Sequence, residues 1–231
     1  MTTARITAVV AFVLAISGAG AVTGPVGPAQ AYGPASCVPG NPLQPTAELF
    51  ATENTDTITD PSDPRLNDQL GMFEIAVDAT AVTELALPVW SDLLDGVFWS
   101  DQSGAATYER SRDFHLACTD SRNLFWIADD VRVRYHQESV LTFELLPADD
   151  ARANAVSITV TGVDRTRFHD ALVADPAVRD RIGGGSVTES GALILVIDRA
   201  DFELTRHLIS GLGGQWDSAG LQYGDREFVG S

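Results

Sequence analysis

Residues 192–197 read ALILVI, six apolar residues in a row with no polar residue among them. An antiparallel strand with one solvated face alternates apolar and polar positions, so a run apolar on both faces needs cover on both sides. Residues 186–189 and the tight Ser190-Gly191 turn before it make the run the second arm of a β-hairpin. After it, residues 200–212 place Leu204, Leu208 and Leu212 in line on a helix that Gly213 closes. Further back, AVSITVTG at 155–162 alternates, with Val156, Ile158 and Val160 on one face and Ser157, Thr159 and Thr161 on the other. Asp164 suits the cap of a helix carrying Phe168, Leu172 and Val173. Asp175-Pro176 restarts or kinks that helix, and Gly183-Gly184-Gly185 ends it. A last strand or hairpin runs through residues 221–229. The order β-α-β-β-α-β is a ferredoxin-like module over residues 155–231.

The preceding part repeats the order over residues 46–147. Residues 47–52 are a candidate strand, and 63–87 contain helical material, although 73–77 read equally well as extended. Residues 97–100 and 107–118 pair around Gln102-Ser103-Gly104. Asp120 or Ser121 caps a helix with Leu124, Ile127, Ala128, Val131 and Tyr135 on one face, and SVLTFELL at 139–146 closes the unit. Pro147 opens a polar stretch whose residues 148–154 read as a linker. The expected fold is α+β, two tandem ferredoxin-like (βαββαβ) modules with sheets packed face to face, in a pseudo-dimeric arrangement. Helices cover one face of the ALILVI strand and the neighbouring sheet covers the other. Homodimerisation is the alternative cover.

Three segments of the first module carry a family likeness: Thr46-Ala47-Glu48-Leu49-Phe50, then residues 94–99 (LDGVFW) followed by Glu109-Arg110-Ser111, and finally residues 133–141 (VRYHQESVL). In these the module resembles DUF3574, a family of short uncharacterised bacterial proteins. The resemblance covers about 100 residues and implies a fold without implying an activity. The two-module layout also looks like secreted proteins of high-GC Gram-positive bacteria, which the absence of lysine and the Arg, Ala and Asp bias fit.

The N-terminus has the three parts of a signal peptide over residues 1–31: Arg5, an apolar run over residues 6–16, and Ala29-Gln30-Ala31 before the cut. The apolar run is shorter than the roughly 20 residues needed to span a bilayer, so the mature chain is expected to start at Tyr32 and be secreted. Residues 32–45 form an extended lead-in rich in Pro and Gly. The net charge is −17, and Arg5 is the leader's sole charge, so the mature chain stands at −18. An acidic body repels phosphate backbones and anionic lipid heads, which excludes nucleic acid and membrane surfaces as partners. The two cysteines, Cys37 and Cys118, are expected to form a disulfide in an oxidising compartment. Cysteine and histidine spacing does not fit zinc, and Asp56, Asp60 and Asp63 lack calcium-loop spacing. No metal or cofactor is expected.

Two constellations are candidate sites. Glu109, Ser111, Asp113 and His115 share one strand face, but residues two apart lie about 6.6 Å from one another, too far for a triad built on this strand alone. His136-Gln137-Glu138-Ser139 form a helix-to-strand turn able to hold a small polar ligand or to satisfy backbone groups. Arg110, on the opposite strand face to His115, is expected to pair with Glu138. The ligand candidates are thus His115, His136, Gln137, Glu138, Ser139 and Arg110, and no complete catalytic set is present. The leading expectation is a secreted non-enzymatic protein that binds a small molecule or a protein, a monomer of pseudo-dimeric build. The alternative is an enzyme with a pocket between the two sheets, of the barrel-type monooxygenase, isomerase or haem-dependent kind.

Overall fold

A computed structural model describes residues 44–215 and 218–230. Its strands are β1 (Ala47–Ala51), β2 (Leu87–Ser100), β3 (Ala105–Ala117), β4 (Val140–Leu145), β5 (Ala155–Thr161), β6 (Gly184–Thr188), β7 (Ala192–Asp198) and β8 (Leu221–Val229). The helices are α1 (Gly71–Thr83), α2 (Ser121–Arg134), α3 (Arg165–Ala174), α4 (Pro176–Arg181) and α5 (Phe202–Gly211). Each half of the chain runs strand, helix, strand, strand, helix, strand, with the first helix of the second half broken into α3 and α4. The break sits at Asp175, whose side chain accepts from the Ala177 amide ahead of Pro176. Asp120 and Asp164 cap α2 and α3 in the same way, through Asn123 and Arg167.

The expected pair of ferredoxin-like modules with sheets packed face to face is overturned. The strands form one closed barrel in the order β1-β3-β2-β6-β7-β5-β8-β4. The halves join edge to edge at two seams, β2 with β6 and β4 with β8, both antiparallel. Closure gives every strand a partner on both sides, whereas two separate tandem modules would have left edge strands exposed. It also changes what covers ALILVI. Leu193, Leu195 and Ile197 pack outward with Phe168, Leu172, Val178 and Ile209 of the helices. Ile194 and Val196 alternate to the other face, the barrel interior, where Val196 meets Phe143, Leu145, Ala155 and Phe50. The second face is therefore covered by the barrel's own filling, as an eight-stranded barrel allows.

α1 and α2 coat the first four strands, with Phe73, Val77, Leu124, Ile127 and Val131 against Leu49, Phe114 and Leu116. Two local expectations also change. β2 begins at Leu87, well ahead of the expected 97, because Pro88 and the mixed pattern after it hide a long strand; its pairing with β3 shifts register between Pro88 and Trp90. Gly184 and Gly185 open β6 instead of ending a helix. A Cβ on Gly184 would lie within van der Waals overlap of the Phe98 ring, so this seam closes only on glycine.

Cys37, the leader and residues 32–43 lie outside the described residues, so the Cys37–Cys118 pairing stands as an expectation. Cys118 is not a free thiol. Among the described residues no helix is long and apolar enough to cross a membrane.

Candidate functional site

Because Phe114 and Leu116 face the helices, the alternate residues Glu109, Ser111, Asp113 and His115 of β3 face the barrel interior. Register then decides their company. Glu48 of β1 lies opposite His115, and Phe50 opposite Asp113. On the other side, Trp90 lies opposite His115 and Asp92 opposite Asp113. The bulge between Pro88 and Trp90 re-aims Trp90 onto the imidazole, a common use of bulges beside sites. The rings stack with centroids 4.6 Å apart.

His115 sits among three carboxylates. Its Nε2 lies 3.2 Å from Asp92 Oδ2 and 3.6 Å from Asp113 Oδ2, and its Nδ1 lies 3.7 Å from Glu48 Oε1. Single ligand atoms of Glu48, Asp113 and His115 all fall within 4.8 Å of one another. Glu48 and Asp113 are buried, yet Glu48 Oε2 and Asp113 Oδ1 receive no hydrogen bond from the described residues. Buried carboxylate oxygens without donors are costly and uncommon.

Burial and crowding fix the electrostatics. Burial, then the charge of Asp92, pushes the Glu48 carboxyl up to about 7. Burial, then Glu48 and Asp92, raises Asp113 well above the usual carboxylate range. Burial also holds His115 below its usual value, against the opposing pull of Asp92. Glu109, further along the face, is raised by burial and partly relieved by its hydrogen bond with Ser111.

The cluster opens outward beside β2. Pairing of β2 with β6 covers only Leu94 to Phe98, so the earlier half of β2 passes beyond β6. There Trp90 and the Asp92 side chain are half-exposed. A groove of about 390 Å³ runs between this part of β2 and the β6–β7 turn, lined by Gln69, Asp92, Arg112, Thr188 and Glu189 among others. Asp92 belongs to both groove and cluster. Arg112 is held in the groove wall by Glu74 at 3.1 Å and by donating to Ser91 Oγ and the Gln69 carbonyl.

The other sequence candidates are not brought to this place. Gln137 is buried and its Oε1 accepts from the Thr52 amide at 3.1 Å, tying the helix-to-strand turn to the end of β1. Thr52 lies four residues from Glu48, roughly 13 Å along a strand. His136 has positive φ at the end of α2 and is exposed, as is Glu138, while Ser139 is half-buried. This turn closes the fold and forms no joint site with His115.

The expected Arg110–Glu138 pair is also replaced. Arg110 lies opposite Asp95. It donates to Asp95 Oδ1 at 2.8 Å and to the Asp68 carbonyl, with Glu189 3.7 Å away. A directly opposed carboxylate on β2 is nearer than one reached across β1. Arg110→Ala is therefore expected to cost about 2 kcal/mol, between the values for exposed and buried pairs since Asp95 is part-exposed. Glu138→Ala should change stability by under about 0.5 kcal/mol. Urea denaturation of both variants and of Asp95→Ala checks this. Equal losses for Arg110→Ala and Glu138→Ala would restore the original pairing.

Sequence reading found His115 and Asp113 but missed Glu48, Asp92 and Trp90. A faint signal for Glu48 existed: it is the one charge in the strand AELFA, whose Ala47, Leu49 and Ala51 are buried.

Comparison with known proteins adds little. No family model matches the chain, and no solved structure matches it. A stretch of 117 residues, 50% of the chain, is 32% identical to an alpha,alpha-trehalose-phosphate synthase (UDP-forming) of Schizosaccharomyces pombe. The matched stretch spans only 20% of that enzyme.

Proposed function

We propose that this chain is an exported binding protein that takes a small cationic ligand at the acidic mouth of its barrel, without catalysing a reaction. One observation carries the reading: the buried oxygens of Glu48 and Asp113 that lack a donor among the described residues, next to an opening framed by half-exposed Trp90 and Asp92. A positive ligand would supply the missing partner and offset the crowded carboxylates. Export rests on the leader residues Arg5 and Ala29-Gln30-Ala31.

Thermal melts of the mature protein with divalent cations, a polyamine and guanidinium test the reading. At least one cation should raise the midpoint in the wild type and fail to do so in Asp113→Asn. A midpoint unmoved by every cation would sink it.

An acid–base enzyme is the second reading. It is favoured by the Glu48 carboxyl, which burial brings to about 7, where it exchanges protons near neutrality. A pocket between two stacked sheets, the earlier enzyme hypothesis, has no place in a closed barrel.

A further inference from the structure

We propose that the mouth of the barrel is a divalent transition-metal site, with Glu48, Asp113 and His115 as ligands and Asp92 completing the set; this rests on reading the mouth as a cation site.

Geometry is the first support. The three ligand atoms lie within 4.8 Å of one another. An ion with bonds of about 2.0–2.2 Å holds tetrahedral donors about 3.3–3.6 Å apart, so side-chain movements of up to about an ångström close the shell. The ligands stand on adjacent strands, Glu48 on β1, Asp113 and His115 on β3 and Asp92 on β2, with Glu48 and Asp92 in direct register with β3. A sheet fixes such donors more firmly than a loop does.

The second support is independent of the acidic clustering. Glu48 Oε2 and Asp113 Oδ1 are buried without a hydrogen-bond donor among the described residues, and each belongs to a carboxylate whose other oxygen faces His115. A metal ion would occupy these lone pairs.

Donor chemistry sets the class. One imidazole with three carboxylates suits manganese, iron or zinc; calcium and magnesium favour all-oxygen shells. Both ring nitrogens of His115 face carboxylates. The Trp90 ring stacked on His115 fixes the imidazole plane. Asp92, half-exposed at the groove, supplies the entry path.

The test uses the mature protein, stripped with a chelator and dialysed against Zn²⁺ or Mn²⁺, with bound metal counted by elemental mass spectrometry and affinity measured by calorimetry. One equivalent per chain is expected. Asp113→Asn and His115→Ala should weaken binding by at least about tenfold, since even outer-shell changes cost that much, while His136→Ala leaves it unchanged. Asp92→Asn, at a half-exposed position, serves if the buried variants do not fold, and should weaken binding in the same direction. Co²⁺ loaded at the site should give visible absorption bands that the Asp92 variant alters. Uptake that is indifferent to Asp113, His115 and Asp92 would overturn the proposal, as would no uptake of either ion. If neither metal binds but a polyamine or guanidinium stabilises the protein through Asp113, the metal inference falls and the cation-binding reading stands. If nothing binds, both fall.

Discussion

Replacing Phe143 with alanine is expected to lower the unfolding free energy by about 3–5 kcal/mol, the range for emptying a large buried aromatic site. Phe143 is fully buried on β4. It packs with Leu145 and Phe50 of the first half and with Ala155 and Val196 of the second. Its ring thus fills the barrel where the two halves of the chain meet, and among the described residues no helix lies on that side to collapse into the space. The ring also sets the limit on its neighbour across the seam. A Cβ at Gly224 would sit 2.6 Å from Phe143 Cζ and 2.4 Å from the Glu144 carbonyl oxygen. Gly224→Ala should cost about 1–3 kcal/mol by overpacking. In the Phe143→Ala background that cost should shrink without vanishing, since the clash with the ring is gone and the clash with the carbonyl stays. Urea denaturation of the two single variants and the double variant measures the coupling. Strict additivity would mean that Phe143 and Gly224 do not share the barrel interior, and the closed seam between β4 and β8 would be wrong.

The local grammar of the chain was readable because it rests on near neighbours. Alternation marked β5, Asp164 and Asp175-Pro176 marked the starts of α3 and α4, and Ser190-Gly191 marked the turn between β6 and β7. The polar face of β3 was readable for the same reason. Closure was not, because it depends on pairings such as Gly96 with Ser186 and Val140 with Val229, some 90 residues apart, and two-faced apolar strands fit a stacked sheet as well as a barrel. The glycines that admit the Phe98 ring at the β2–β6 seam read locally as a helix end. The site was half-visible for a related reason. Asp113 and His115 sit two apart on one strand, but their partners Glu48 and Asp92 arrive by register, 67 and 23 residues from His115. Arg110 was placed on the correct face and given the wrong partner, since a face follows from periodicity and a partner does not.

In chelator-treated protein, stability is expected to fall as pH rises from about 5 to 8, and Glu48→Gln is expected to remove much of that fall. The Glu48 carboxyl stands at about 7 in the folded chain against an ordinary value of 4.5. A group raised on folding contributes stability that is full below its unfolded value and lost as pH rises through its folded value. The window is therefore 4.5 to about 7, and the loss for this group is about 3 kcal/mol. For a chain of this size that corresponds to about 6–12 °C in Tm. Asp113, also raised, acts in the same direction. His115 acts in the other: its folded value is lowered, so its contribution is present above the unfolded value of 6.5 and declines as pH falls below it. The two carboxyls outweigh one imidazole, and above 6.5 the imidazole no longer opposes them. Glutamine keeps the shape of the neutral carboxyl and cannot ionise, so the difference between the two melting curves reads Glu48 together with the part of the Asp113 shift that its charge causes. The variant's advantage should be small at pH 5 and grow to its full size by pH 8. Parallel curves across that range would show that Glu48 is not held in a low-dielectric site, and the buried cluster at the barrel mouth would lose its electrostatic basis.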